Sequence, residues 1–270
     1  MNIAFTKMNG AGNDFILIDN RTRSILLSKE QVQRLCHRQR GIGADGLLLL
    51  ETNLTGKADW SWKFYNSDGE MAEMCGNGAR CFAAFIRKVI HCSSPTSIET
   101  LAGVIHASFD GDDVTIALTE PERLALHQQI SLLASNLTYH FLNTGVPHTV
   151  VFVDDADQAM VHEIGRQIRN HDVFSPGGTN VDFVQILRPG LIRVRTYERG
   201  VEGETLACGT GVAAAAIVTA LVQKVTPPIS VQVQGGETLS VDFTQTDVAS
   251  VHNVLLTGPA TFVFTGEITI

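Results

Sequence analysis

The sequence predicts an α+β protein of two similar lobes, and three observations carry that prediction. Short, often β-branched segments bounded by turn residues outnumber helical ones. A few helical segments fall between them, a mix that fits mixed sheets wrapped on helices. One pattern is also written twice: "EMCGNGARCFAAFI" (73–86) returns as "LACGTGVAAAAIV" (206–218), so that Cys75 falls on Cys208, 208 − 75 = 133 residues on. The same offset sets Gly76 on Gly209, Gly78 on Gly211, Gly12 on Gly145, Phe64 on Tyr197 and Asn66 on Arg199. A period this long reads as a duplicated domain, not a solenoid repeat. The lobes are expected near 1–120, carrying Cys75, and 121–255, carrying Cys208. The closing "TFVFTGEITI", within a strand near 256–270, can pack on either lobe and is placed with the first.

Along the chain, strands are read at 14–19, 45–50, 59–66, 103–109, 113–118, 149–153, 181–187, 192–198 and 230–234. Helices fit 28–38, 79–90, 155–171 and 211–223. Each repeated thiol segment opens one helix. The run "VAAAAIVTALV" (212–222) is too short to span a membrane and reads as a helix buried inside a lobe.

Composition narrows the function classes. A chain of 270 residues, 44% of them hydrophobic, can bury a substantial core. The net charge of −8 argues against a nucleic-acid or anionic-membrane partner, and leaves room for an anionic small molecule met by a local field. The opening "MNIAFTKMNGAGNDF" lacks the basic-then-apolar layout of a secretory signal, so a cytoplasmic address is expected. A homodimer is one expected assembly, and the sequence leaves the oligomeric state open. The five cysteines are odd in number and contain no Cys-x-x-Cys, which predicts thiols and not a disulfide framework.

Cys36, Cys81 and Cys92 read as small buried hydrophobes. Cys75 and Cys208 differ, because each precedes Gly-x-Gly at a helix start. There the exposed N–H groups and the helix dipole favour anions and are expected to pull a thiol's pKa down. The glycines let a ligand approach the backbone, and the N–H groups can take a carboxylate. Two such thiols facing one bound molecule across a cleft suit inversion at a carbon bearing hydrogen. One thiol removes the proton from one face and the other delivers a proton to the opposite face, while two helix termini stabilise the developing charge.

The residues that carry a family resemblance are "GNDF", "GIGADG", "FYNSDGEMAEMCGNGARC", the Pro-His of "TGVPH" and "YERGVEGETLACGTG". Together, in order over nearly the whole chain, they resemble diaminopimelate epimerase. The resemblance implies two similar lobes, each a sheet curled around a central helix, with the active site between them. It implies inversion of one α-carbon of LL-diaminopimelate to the meso form, for lysine and peptidoglycan precursors, with no cofactor and no metal. By position it makes Cys75 and Cys208 the acid/base pair. Gly76, Asn77, Gly209 and Thr210 would offer N–H groups to the reacting carboxylate, and His148 and Glu198 would meet the amino group. Asn13, Asn66, Asn180 and Arg199 would hold the substrate, several of them at its distal end, where Arg199 suits a bidentate carboxylate contact.

The chain departs from the family at two places: Val146 stands where many members carry Asn, and Gly46 where some carry Gln. Val146 cannot hydrogen-bond a substrate, which raises the alternative of a racemase with relaxed specificity that also accepts glutamate or another acidic amino acid. Thiol redox chemistry between Cys75 and Cys208, and a catalytically silent binding protein, are the remaining alternatives. A pyridoxal-phosphate racemase would need a Schiff-base lysine, and no motif singles one out. "HEIGRQIRNH" (162–171) resembles a metal motif only superficially, its histidines being nine apart, and reads as a solvated helix face.

Overall fold

The computed structural model describes residues 1–91, 94–133, 136–247 and 250–270, so the reading of Cys92 as a buried hydrophobe lies outside the described residues. The chain divides into two compact units, Met1–Ile116 with Gly258–Ile270, and Ala117–Thr257.

The first unit runs β1 (Asn2–Gly10), β2 (Asn13–Asp19), α1 (Lys29–Cys36), β3 (Gly46–Thr52), β4 (Trp60–Asn66), α2 (Gly76–Ile90), β5 (Thr96–Thr100), β6 (Gly103–Asp110) and β7 (Asp113–Ala117). Strand β2 shows how the sequence builds it. Its apolar run Phe15–Ile18 is buried on both faces, which needs cover on both sides. Ile16 and Ile18 join Val32, Leu35 and Cys36 of α1 in one core, while α2 packs on β1, β2 and β3. Ser28 starts α1 with a capping box, its hydroxyl accepting from the Gln31 N–H while the Gln31 side chain accepts from the Ser28 N–H.

The second unit runs β8 (Glu122–Ser131), β9 (Asn136–Asn143), β10 (Pro147–Phe152), α3 (Val161–Arg169), β11 (Asn180–Arg188), β12 (Leu191–Glu198), β13 (Gly203–Thr205), α4 (Gly209–Gln223), β14 (Ile229–Gln232), β15 (Thr238–Gln245) and β16 (Val251–Pro259). The last strand, β17 (Thr261–Thr269), pairs with β1. Helix α4 is apolar on every side and buried from Gly211 to Ala220, as a helix enclosed by strands must be. Each of Val212, Ile217 and Val218 is fully buried, worth roughly 1.5–3 kcal/mol apiece. On the other side of the strands, Val161 and Ile168 of α3 pack with Val181, Phe183 and Tyr197.

The duplication is visible in the pairing. In the first unit β17–β1 and β1–β2 are antiparallel, β2–β3 parallel, β3–β4 antiparallel, β4–β5 parallel, and β5–β6 and β6–β7 antiparallel. In the second, β8–β9 and β9–β10 are antiparallel, β10–β11 parallel, β11–β12 antiparallel, β12–β14 parallel, and β14–β15 and β15–β16 antiparallel. The two series match step for step. Helices α2 and α4 correspond residue for residue at the offset of 133, since 76 + 133 = 209 and 90 + 133 = 223.

Both repeated helices begin directly after the thiol, three residues earlier than 79 in α2 and two earlier than 211 in α4, so the glycines lie in the first turn. The helix expected over 155–171 is shorter: Asp155 accepts from the Asp157 N–H, and Ala156 donates to Gln185, holding that stretch as a turn before Val161. Strands β1, β5, β8, β9, β13, β15 and β16 were not among those read from the sequence. In β8 and β16, left-handed residues Arg123, His127 and Asn253 interrupt the alternation that marks a strand.

Candidate active site

In the first unit, Cys75 is the N-cap of α2, with extended backbone and its Sγ accepting from the Gly78 N–H at 3.5 Å. The next two residues present the first N–H groups of the helix. Gly10 lets β1 reach this turn: a methyl group there would lie 2.7 Å from the Asn77 carbonyl oxygen and 2.9 Å from Cys81 Sγ. The buried Asn77 amide donates to Asn13 Oδ1 at 2.6 Å and accepts from Arg80 Nη2 at 2.9 Å. Asn13 in turn donates to Asp45 Oδ2 at 3.1 Å. The structure therefore joins Asn13 to the Cys75 helix. Asn66 sits exposed at the end of β4, in register with Gly46. A methyl group at Gly46 would lie 2.7 Å from Phe64 Cε2, so these strands leave no room for a side chain there.

Behind Asn13, Asp14 meets Lys7 at 2.7 Å and both Arg38 terminal nitrogens at 2.9 Å, and Arg38 also reaches Asp45 at 2.7 Å. Burial works to raise the Asp14 pKa, but hydrogen bonds from Arg38 and Lys7 win and hold it at about 2, against an ordinary 3.8. A carboxyl depressed in the folded state contributes stability above its unfolded pKa and loses it as pH falls through the folded value. Asp14→Asn is therefore expected to lose less stability than the parent between about pH 4 and pH 2, read by urea unfolding at each pH. Parallel acid losses would contradict this assignment.

In the second unit, Cys208 is the N-cap of α4, half-buried, with Sγ 3.4 Å from Thr210 Oγ1. His148, on β10, is fully buried; its Nε2 lies 2.9 Å from Thr210 Oγ1 and its Nδ1 2.7 Å from Asp182 Oδ2. Thr196 donates to the other Asp182 oxygen at 2.7 Å. Asn180 is also buried, donating to the Pro147 carbonyl at 3.0 Å and accepting from the Arg199 N–H at 2.8 Å. The Arg199 guanidinium donates to the Gly177 carbonyl at 3.2 Å. Val146 occupies the position equivalent to Asn13, 13 + 133 = 146, so the second unit has no amide there.

The electrostatics differ from the expectation of a lowered thiol pKa. Burial pushes the Cys208 thiol well above its ordinary value, and the carboxyls of Glu198 and Asp182 add to the rise. The hydrogen bond shared with Thr210 and that from the Gly211 N–H act the other way and are outweighed. Glu198 is itself raised, first by burial and then by Asp182, against lowering by Thr205 and His148. Cys36 and Cys81 are buried, and burial raises both thiols to about 12, in keeping with apolar filling. The four described cysteines are thiols.

Asp182 is the residue that the sequence reading missed. Its signal was a single acid inside the otherwise apolar "VDFV" of a buried strand, a placement that demands partners. His162 packs edge-on against Tyr197, and His171 caps the short 3-10 turn Asp172–Phe174, which accounts for both histidines of the apparent metal motif. Among the described residues no helix is long and apolar enough to cross a membrane.

Comparison with known proteins gives one consistent outcome. The family model described as diaminopimelate epimerase matches residues 5–124 and 140–263. The chain is 42% identical to a diaminopimelate epimerase of Aquifex aeolicus over 98% of this chain and 97% of that protein. It is 41% identical to one of Chlorobaculum tepidum, over 97% and 100%. Among solved structures, a Bacillus anthracis phenazine biosynthesis protein of the PhzF family superposes with TM-score 0.76 at 16% identity, covering 100% of both chains. A hydroxyproline epimerase of Agrobacterium vitis superposes with TM-score 0.72 at 15% identity, over 99% of this chain and 92% of that one. At such identities these structures speak for the fold alone.

Proposed function

The chain belongs to the diaminopimelate epimerase family and is an isomerase of lysine biosynthesis, and we propose that Cys75 and Cys208 are the acid and base with which it inverts LL-diaminopimelate to the meso isomer. The observation that carries this is the exact correspondence of the two thiols: each caps a 15-residue helix at the same place in a duplicated unit. Inversion needs a base on one face of the α-carbon and a proton donor on the other. Burial favours the protonated form of Cys208, so in this scheme Cys208 takes the donor's part and Cys75 the base's part toward LL-diaminopimelate, and turnover exchanges the roles.

The N–H groups of Gly76, Asn77, Gly209 and Thr210 take the reacting carboxylate, where each helix terminus contributes about 0.3–2 kcal/mol toward the developing charge. Glu198 takes the substrate ammonium, and His148 stands behind Thr210. Asn13, Asn66 and Asn180 hold the substrate, and Arg199 meets its distal carboxylate. The partner in this reading is a small amino acid, met in the cytoplasm. Full-length relatives at about 40% identity do not favour the glutamate-racemase, redox or silent-binder alternatives.

The test is incubation of reduced, cofactor-free protein with LL-diaminopimelate in deuterated water. Meso product carrying deuterium at one α-carbon is the expected result. Meso product without label, or no meso product, would overturn the two-thiol scheme.

A further inference from the structure

The two thiols stand on unlike foundations. Beneath the first turn of α2, the position that corresponds to His148 is Phe15, since 15 + 133 = 148, and, because Phe15 pairs with Gly46 as His148 pairs with Asn180, the position that corresponds to Asp182 is Leu48. Both are buried and apolar. Beneath α4, the same two positions carry an imidazole and a carboxylate, each with no exposed surface. Nothing in the N–H recognition of a carboxylate requires this pair, since α2 lacks it.

The direction of the hydrogen bonds follows from the inventory of donors. As a carboxylate, Asp182 only accepts: Thr196 O–H fills Oδ1, so the proton facing Oδ2 belongs to His148 Nδ1. With the imidazole neutral before the transfer, His148 Nε2 is then an acceptor, which makes the Thr210 hydroxyl its donor. The Thr210 oxygen keeps its lone pairs for the Cys208 S–H at 3.4 Å. Every link points the same way, from Cys208 through Thr210 and His148 to Asp182.

The geometry points to a proton relay in which Thr210 passes the Cys208 proton to His148, and Asp182 holds the resulting imidazolium. The balance is simple. Cys208 S–H gives its proton to Thr210 Oγ1 as Thr210 O–H gives its own to His148 Nε2, leaving a thiolate, an intact hydroxyl and an imidazolium paired with the Asp182 carboxylate. This deepens the acid/base role proposed for Cys208 and rests on that reading. Starting from the meso isomer calls for Cys208 as base, while its burial and the carboxyls of Glu198 and Asp182 oppose its ionisation. An internal acceptor offsets that opposition. Asp182 and His148 are thus positioning residues that act through Thr210. The titratable groups around the thiol in this unit are Glu198 from β12, Asp182 from β11 and His148 from β10.

The sign of one substitution separates the relay from simple electrostatics. Asp182→Asn removes a negative charge near Cys208, which by Coulomb's law alone would make the thiolate easier to form. The relay predicts the opposite, because the imidazolium loses its counter-charge. The experiment follows iodoacetamide alkylation of Cys208 against pH by peptide mass mapping, in the full-length enzyme without substrate. Asp182→Asn and Thr210→Val are expected to slow alkylation of Cys208 near neutral pH about tenfold, as an upward pKa shift of one unit does. Thr210→Ser is expected to keep the parent profile. Faster or unchanged alkylation in Asp182→Asn would overturn the relay. Should that variant fail to fold, coincident profiles for Thr210→Val and Thr210→Ser would overturn it equally. Inversion of LL-diaminopimelate is assayed in parallel. A shifted Cys208 profile with undiminished inversion would leave the relay in place and remove Cys208 from the chemistry, so the two readings fail separately.

Discussion

Cys75→Ala and Cys208→Ala will each lower the rate of meso-diaminopimelate formation by at least about 10²–10⁴-fold, the range that one positioned acid or base supplies. On the proposed scheme the loss is not additive, because each thiol does half of one inversion and neither half yields product alone. What remains in each mutant is informative. Cys208→Ala keeps a base on one face only, and Cys75→Ala keeps a base on the other. The first should still exchange the α-proton of one epimer with solvent, with retention, and the second that of the opposite epimer. Deuterium incorporation into recovered LL- and meso-diaminopimelate, followed by mass spectrometry with chiral separation, measures both. Either mutant at parent activity would end the two-thiol assignment. Misfolding is a minor concern: alanine at the Cys75 cap gives up the S···H–N contact from Gly78, and losing a cap costs about 0.5–2 kcal/mol.

Local pattern made the repeated helices legible, because a thiol, two glycines and an apolar run fit only one register over another. It also made the fully buried strands legible: "DFILID" and "DGLLLL" are continuous apolar runs closed by acids and turns. The strands that escaped are bulged ones. At β8, register shifts between Glu122 and Ala125 and again between Ala125 and Gln128 destroy the two-residue period over most of its length. Among site residues, Cys75, Cys208 and their glycines carry their own signal, whereas Asp182 gains meaning only from partners 34 residues before it and 14 after it, His148 and Thr196. The direction of the Cys208 pKa was likewise out of reach. A helix terminus is local and readable, but the burial that overrides it, and the Glu198 and Asp182 carboxyls, come from strands folded against it.

Gly211→Ala is expected to destabilise the protein by about 1–3 kcal/mol, the usual cost of forcing volume into a packed site, and to slow inversion on the order of 100-fold through misplaced groups. A methyl group at Gly211 would lie 2.4 Å from Asp182 Oδ1 and 3.2 Å from His148 Cε1. Asp182 cannot retreat without breaking its bonds to His148 and Thr196, and neither it nor His148 has any exposed surface to relax into. The strain must therefore move the first turn of α4, which carries Cys208 and Thr210. Gly78 is the matching letter in the other repeat and behaves differently. A methyl group there meets Cys75 Cβ and the Phe15 ring at 3.5 Å, an ordinary contact. Gly78→Ala should therefore leave stability unchanged or raise it by about 0.5–1 kcal/mol through helix propensity. Urea unfolding of both variants, with inversion rates measured beside it, checks the pair; equal stabilities would refute the packing argument. The second glycine of the repeated motif thus has two causes. In α4 it makes room for a buried, hydrogen-bonded imidazole and carboxylate, and in α2, over Phe15, room is not what it provides.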